Sequence, residues 1–365
     1  MKINPNIEKL TPYQPGKPID ELARELGLKN IVKLASNENP YGPSPLAIEV
    51  LRAGFDELSR YPDGGAFNLK IELSRYLGIG AEQITVGNGS NDILDLAARC
   101  ALTPGSETIV SQHAFVVYRL ATLSAGGNLV EVPAKEYGAD LGAMLDAVSG
   151  KTSIIFLANP NNPTGTWVNS ADLSVFLDKL PKHIWVVLDE AYHEYVFHDS
   201  YPDGIKLLNQ YPNLIITRTF SKIFGLAGLR VGYAVSSSEI ADLMNRVRQP
   251  FNVNSLGMLA ASAALKDEQF VASSKRLNQE NMVRFCAGLK AIGVTYIPSA
   301  ANFVAFDVGR PATDIQKLLL EEGFILRPIG EYGLPNHLRM TIGTEKENAA
   351  VLDILGSINN LGSNH

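Results

Sequence analysis

Leu214-Ile215-Ile216-Thr217-Arg218-Thr219-Phe220-Ser221-Lys222 is an apolar run that turns polar and reaches a lysine. Its β-branched residues read as a buried strand, followed by a Gly-rich loop, Gly225-Leu226-Ala227-Gly228-Leu229, that ends at Arg230. Upstream, Ile184-Trp185-Val186-Val187-Leu188 ends in Asp189-Glu190-Ala191-Tyr192. Before that, Ser153-Ile154-Ile155-Phe156-Leu157-Ala158 ends in Asn159-Pro160-Asn161-Asn162-Pro163-Thr164-Gly165. Three apolar strands each deliver polar residues at their C-terminal ends. In an open α/β sheet that edge is where ligands bind.

The same alternation of strand and helix runs from about Asn68 to residue 235, which predicts βαβ units on a mainly parallel sheet with helices on both faces. Before it lie a helix at 18–26, an extended link at 31–45 and a helix at 46–58. After it, 237–290 reads as mostly helical with a break at 249–254. Short strands return at 294–297 and 302–306, then a helix near 312–322, a strand at 324–327 and a last pairing near 337–342.

The chain has 365 residues, 45% of them hydrophobic, enough for a large core and two to three domains. A formal net charge of -6 argues against a general nucleic-acid binder. Cys100 and Cys286 form no CxxC pair and read as reduced thiols. The start, Met1-Lys2-Ile3-Asn4-Pro5, lacks a signal peptide's apolar core, and no apolar stretch reaches the ~18 residues of a membrane span. The expectation is a cytoplasmic protein with no membrane partner. The histidines offer no ligand set; His193 and His198 are five apart, off helical spacing, so no metal is expected.

The polar residues at the strand ends match one chemistry. An amine that forms a Schiff base must lose its proton near a carbonyl, a role for Lys222. A pyridine ring used as an electron sink needs a carboxylate at its nitrogen, and Asp189 ends an apolar strand where an unpaired charge is costly. A phenolic oxygen wants donors such as the Tyr192 hydroxyl and the Asn162 amide. A phosphate wants hydroxyls, backbone N–H groups and an arginine: Thr219, Ser221 and Arg230. Gly87-Asn88-Gly89-Ser90-Asn91 joins a strand to a helix start. Alone it is an ordinary capped turn; beside Ser221 and Arg230 it reads as a phosphate cradle built from Gly89, Ser90 and Asn91. The set points to pyridoxal phosphate.

The order Asn-Asn-Pro-Thr-Gly, Asp-x-x-Tyr, Ser-Lys and then Arg230 resembles the aspartate-aminotransferase-like superfamily of pyridoxal phosphate enzymes, fold type I, over nearly the whole chain. The histidinol-phosphate aminotransferase branch is the most similar, through Leu34-Ala35-Ser36-Asn37-Glu38-Asn39-Pro40, Arg60-Tyr61-Pro62-Asp63, Arg327-Pro328 and Leu338-Arg339-Met340-Thr341-Ile342-Gly343-Thr344. The resemblance implies a large cofactor-binding domain at 46–250, and a smaller α+β domain formed by the two chain ends, 1–45 and 251–365. It implies Lys222, Asp189 and Tyr192 as catalytic residues. It implies an aromatic stacked on the cofactor ring, either Phe115 or Tyr118. It places Asn37 and Asn162 near the substrate, with Arg327 and Arg339 on the substrate's anions. It implies a homodimer in which Tyr13 and Tyr61 reach into the partner's site. The implied reaction exchanges an amino group between L-histidinol phosphate and 2-oxoglutarate, with glutamate as the other amino acid, in histidine biosynthesis. Two rivals within the superfamily stay open: an aromatic amino-acid aminotransferase and a phosphothreonine decarboxylase. A regulator without turnover has no spare N-terminal domain or basic helix to support it.

Overall fold

The computed structural model describes residues 5–12 and 16–362, with side chains to residue 358. Seven strands form the main sheet: β1 Ile84–Gly87, β2 Glu107–Ser111, β3 Asn128–Val132, β4 Thr152–Ala158, β5 Trp185–Asp189, β6 Leu214–Thr219 and β7 Gly232–Val235. Their order is β1-β7-β6-β5-β4-β2-β3. β7 alone runs against its neighbours.

The central strands are apolar along their length because both sheet faces are covered. Alternate residues go to opposite sides. Ile154 and Phe156 of β4 pack with Ile93, Leu94 and Ala97 of the helix Ser90–Ala101. Ile155 and Leu157 pack on the other face with Leu173, Phe176 and Leu177. A sheet buried on both faces holds its C-terminal strand ends rigidly, and the candidate site uses those ends.

A second sheet has four antiparallel strands: β8 Thr295–Ile297, β9 Phe303–Asp307, β10 Arg327–Ile329 and β11 Leu334–Thr341, in the order β10-β11-β9-β8. Phe285, Val304, Phe306, Leu338 and Met340 form its core together with Leu34 from the N-terminal link. Val32–Lys33 pairs in parallel with Phe324–Ile325. The Leu34 N–H then donates to Ile325 and its carbonyl accepts from Thr341, at 2.9 and 2.8 Å. The two chain ends are thus laid side by side.

Two expected elements differ in detail. The helix expected at 46–58 is Pro45–Ala53, and a separate turn, Phe55–Glu57, follows Gly54. The strand expected at 324–327 is two strands, Phe324–Ile325 and β10, in different sheets with Leu326 between them. No helix among the described residues is long and apolar enough to cross a membrane.

Candidate active site

The strand ends of the main sheet meet the second sheet around a cavity of about 390 Å³. Lys222 lies three residues beyond β6 and lines it. The loop that carries it is fixed by close backbone approach. Gly225 has φ +69, and a Cβ there would collide with the backbone of Gly42 and Pro43. The Ser44 N–H donates to the Phe224 carbonyl at 3.3 Å. The segment from Ser36 to Ser44 is thereby pressed onto the lysine loop. Lys222 Nζ donates to the Ser36 carbonyl at 3.1 Å and stands 5.6 Å from the centre of the Tyr192 ring. Burial, with Arg339 and Arg230 nearby, lowers the Lys222 pKa to about 8, so a neutral amine is accessible near neutral pH.

Asp189, the last residue of β5, is opposite Thr217 of β6 and Ala158 of β4. The Tyr118 hydroxyl donates to Oδ2 at 2.8 Å and the Thr217 hydroxyl to Oδ1 at 3.0 Å. Burial raises the Asp189 pKa, and these hydrogen bonds oppose the rise. A cationic partner in the cavity would restore the charged form. Glu190 turns away and pairs with Arg218 at 2.8 Å, so of these two adjacent carboxylates only Asp189 lines the cavity.

Ser90, Asn91, Thr219, Ser221 and Arg230 line the opposite end of this group. The helix Ser90–Ala101 starts there, with its unpaired N–H groups and positive dipole end. Gly89 has φ +83, and a Cβ on it would strike the Arg230 guanidinium, so the cradle needs glycine. Arg230 Nη1 donates to Ser221 Oγ at 3.4 Å and to the Ala227 carbonyl at 3.1 Å. The Thr219 hydroxyl serves the loop itself, accepting from the Ser221 N–H at 3.1 Å.

Another wall of the cavity is built from the second sheet. Arg327 on β10 and Arg339 on β11 are direct cross-strand partners, and both line the cavity. Like charges placed opposite one another are unfavourable unless an anion bridges them. Arg339 donates to Asn162 Oδ1 at 2.5 Å and to the Ala35 carbonyl at 2.6 Å. Asn37, 1% exposed, donates from its side chain to Tyr192 Oη at 2.9 Å.

Both aromatic candidates line the cavity. Tyr118 is stacked on Phe156 at 5.0 Å and gives its hydroxyl to Asp189. Phe115 packs edge-on against Tyr118 at 5.9 Å. Tyr61 does not line the cavity of its own chain; it is 83% exposed and stacks on Phe251 at 4.8 Å. Tyr13 lies outside the described residues. Sequence reasoning missed the Ser36 carbonyl and the roles of Tyr118 and Thr217 at Asp189. The last could have been found, because Thr217 is a polar residue on a buried strand beside Asp189.

A half-buried amine of lowered pKa, a buried carboxylate, a Tyr–Asn pair and a glycine-dependent anion cradle share one cavity. That donor set fits pyridoxal phosphate. Residues 29–355 match the family model for aminotransferases of class I and II. The chain is 52% identical to histidinol-phosphate aminotransferase 2 of Pseudomonas fluorescens (strain Pf0-1), over 97% of this chain and 96% of that one. It is 54% identical to histidinol-phosphate aminotransferase 1 of Dechloromonas aromatica (strain RCB), over 96% of each. The crystal structure of histidinol-phosphate aminotransferase from Sinorhizobium meliloti, solved with pyridoxal-5'-phosphate, superposes with a TM-score of 0.88 at 30% identity, covering 98% of this chain and 96% of that one. The chain therefore belongs to the class I and II aminotransferases, in the family of histidinol-phosphate aminotransferases, which depend on pyridoxal phosphate.

Proposed function

We propose that this enzyme moves an amino group between L-histidinol phosphate and 2-oxoglutarate, a step of L-histidine synthesis, as a cytoplasmic homodimer. The observation that carries the substrate reading is the cross-strand pair Arg327 and Arg339 on the cavity wall. Histidinol phosphate has a phosphate and no α-carboxylate, whereas glutamate has two carboxylates. Two guanidiniums side by side can take either anion as a planar, bidentate donor set. The names of the relatives agree with this reading.

Pyridoxal phosphate, when bound, supplies a carbonyl that condenses with amines and a ring that takes up the electron pair left when the α-carbon loses its proton. The chain does the rest. Lys222, whose pKa of about 8 makes a neutral fraction accessible, would move a proton from the substrate's α-carbon as general base and return it as general acid. The Ser36 carbonyl and the Tyr192 ring hold the amine in the cavity. Asp189, tethered by Tyr118 and Thr217, keeps a proton on the ring nitrogen. Tyr192 and Asn162, oriented by hydrogen bonds from Asn37 and Arg339, would hold the cofactor's phenolic oxygen. Ser90, Asn91, Ser221 and Arg230 hold the cofactor's phosphate, with Gly89 making room.

The homodimer reading is supported by exposed large apolar side chains, among which Tyr61 stacks on Phe251. Phe55, Leu58, Tyr61, Phe67 and Phe251 are each between 45% and 83% exposed on the single chain. Such side chains are what a recognition surface presents. Tyr61 among them is then available to a partner's cavity.

The substrate reading is tested with Arg327→Ala and Arg339→Ala. A desolvated charged contact is worth ~1.5–3 kcal/mol, so each change should weaken histidinol phosphate by about tenfold or more. Phenylalanine carries no phosphate and should lose less in one of the two variants. If the ratio of kcat/KM for the two donors keeps its wild-type value in both variants, neither arginine reads the phosphate. The aromatic aminotransferase reading then moves ahead.

A further inference from the structure

Arg327 and Arg339 set like charges opposite one another. The Arg339 Nη atoms donate to neutral acceptors, Asn162 Oδ1 and the Ala35 carbonyl. Arg327 Nη2 lies 2.5 Å from the carboxylate Oε1 of Glu331. The Arg327 side chain is 10% exposed and that of Glu331 35%. Arg327 faces the cavity. Glu331 stands behind it, on a neighbouring recess of about 180 Å³ bordered by His113 and Tyr332. Glu331 belongs to the one-turn segment Gly330–Tyr332, closed by Gly333 at φ 79. His113 Nδ1 contacts the Tyr332 carbonyl at 2.5 Å and ties that turn to the main sheet's edge loop. The carboxylate is therefore held against Arg327 by the backbone.

An anion entering the cavity meets a guanidinium whose charge is already partly offset. Coulomb energy scales with the product of the charges, so a phosphate dianion loses more to that offset than a carboxylate does. We propose that Glu331 is a specificity-determining residue that tempers the preference of the Arg327–Arg339 pair for a dianion, so that one site serves a phosphate and a carboxylate in turn. The proposal rests on the substrate reading above and deepens it.

The test uses the cofactor-loaded enzyme with Glu331→Gln and Glu331→Asp. Inorganic phosphate is the first probe, as a competitive inhibitor against glutamate, because it needs no assumption about the donor. Glu331→Gln should tighten phosphate inhibition and lower the KM for histidinol phosphate by about fivefold, the size of a half-exposed ion pair. The change should fall on KM rather than kcat, and phenylalanine should move less. Glu331→Asp keeps the charge and should give a smaller shift. Unchanged phosphate inhibition in Glu331→Gln overturns the proposal. So does an equal shift for phosphate and phenylalanine, or a Glu331→Asp shift as large as that of Gln. If no form turns over histidinol phosphate while phosphate inhibition still tightens in Glu331→Gln, the substrate reading fails and the role of Glu331 stands.

Discussion

Tyr118→Phe removes one oxygen atom from the molecule and isolates the support of Asp189. The ring should stay where it is, stacked on Phe156 at 5.0 Å and packed edge-on against Phe115 at 5.9 Å. What is lost is the 2.8 Å hydrogen bond to Asp189 Oδ2. A hydrogen bond to a charged acceptor is worth ~1.5–3 kcal/mol. Burial already pushes the Asp189 carboxyl toward its neutral form, and Tyr118 is the first of the groups that oppose it. Without it the carboxyl moves further toward its neutral form, and its hold on a protonated ring nitrogen weakens. Turnover should fall about 10- to 100-fold if that charge is used in the rate-limiting proton transfer. The assay is kcat at saturating donor, together with a pH titration of the bound cofactor's absorbance. A kcat within about twofold of wild type, with an unmoved titration, would refute the reasoning. Tyr118 would then be a packing residue only.

Three further outcomes follow from the geometry. Lys222 titrates at about 8 in the fold against 10.5 for the free side chain, so between those values the unfolded chain binds the extra proton and folding stability rises with pH. Cofactor-free Lys222→Met should lose that rise, up to ~3 kcal/mol between pH 8 and 10 by urea unfolding; parallel pH curves for the two proteins contradict it. Gly89→Ala forces a side chain into a left-handed position against Arg230, so the cofactor's Kd should rise by about tenfold or more while the circular dichroism spectrum is kept. An unchanged Kd removes Gly89 and Arg230 from the phosphate cradle. Mixing Lys222→Ala subunits with Tyr61→Phe subunits should restore one intact site per heterodimer if Tyr61 serves the partner; no recovery in proven heterodimers counts against a shared site.

Much of the site could be read from the chain because its residues sit where simple patterns change. β5 and β6 begin as apolar runs, and Asp189, Thr219 and Ser221 at or just past their ends line the cavity. The glycine turn that leads from β1 into the helix Ser90–Ala101 was legible for the same reason, as a break between a strand and a helix. What stayed hidden depends on pairing between distant segments. Nothing in Arg327 or Arg339 alone says that they lie opposite each other, since that register comes from β10 and β11 folding back through the turn at 330–332. The break at Leu326 was invisible because Phe324–Ile325 and β10 are both very short, and only their strand partners separate them. The helix expected at 46–58 ends at Ala53, where Gly54 lies close to Leu256 and Leu259, side chains about 200 residues further along the chain. The hydrogen bond from Tyr118 to Asp189 was hidden too, because it joins residues 71 positions apart in the chain.

The central claim is that this cavity transaminates a phosphorylated amine. The direct measurement is kcat/KM of the wild-type, cofactor-loaded enzyme with L-histidinol phosphate, phenylalanine and tyrosine as donors and 2-oxoglutarate as acceptor. With two arginines side by side on the cavity wall, histidinol phosphate should exceed either aromatic donor by about a hundredfold or more, as expected when buried polar groups are left unpaired by the wrong substrate. An aromatic donor that matched or outran histidinol phosphate would contradict the account.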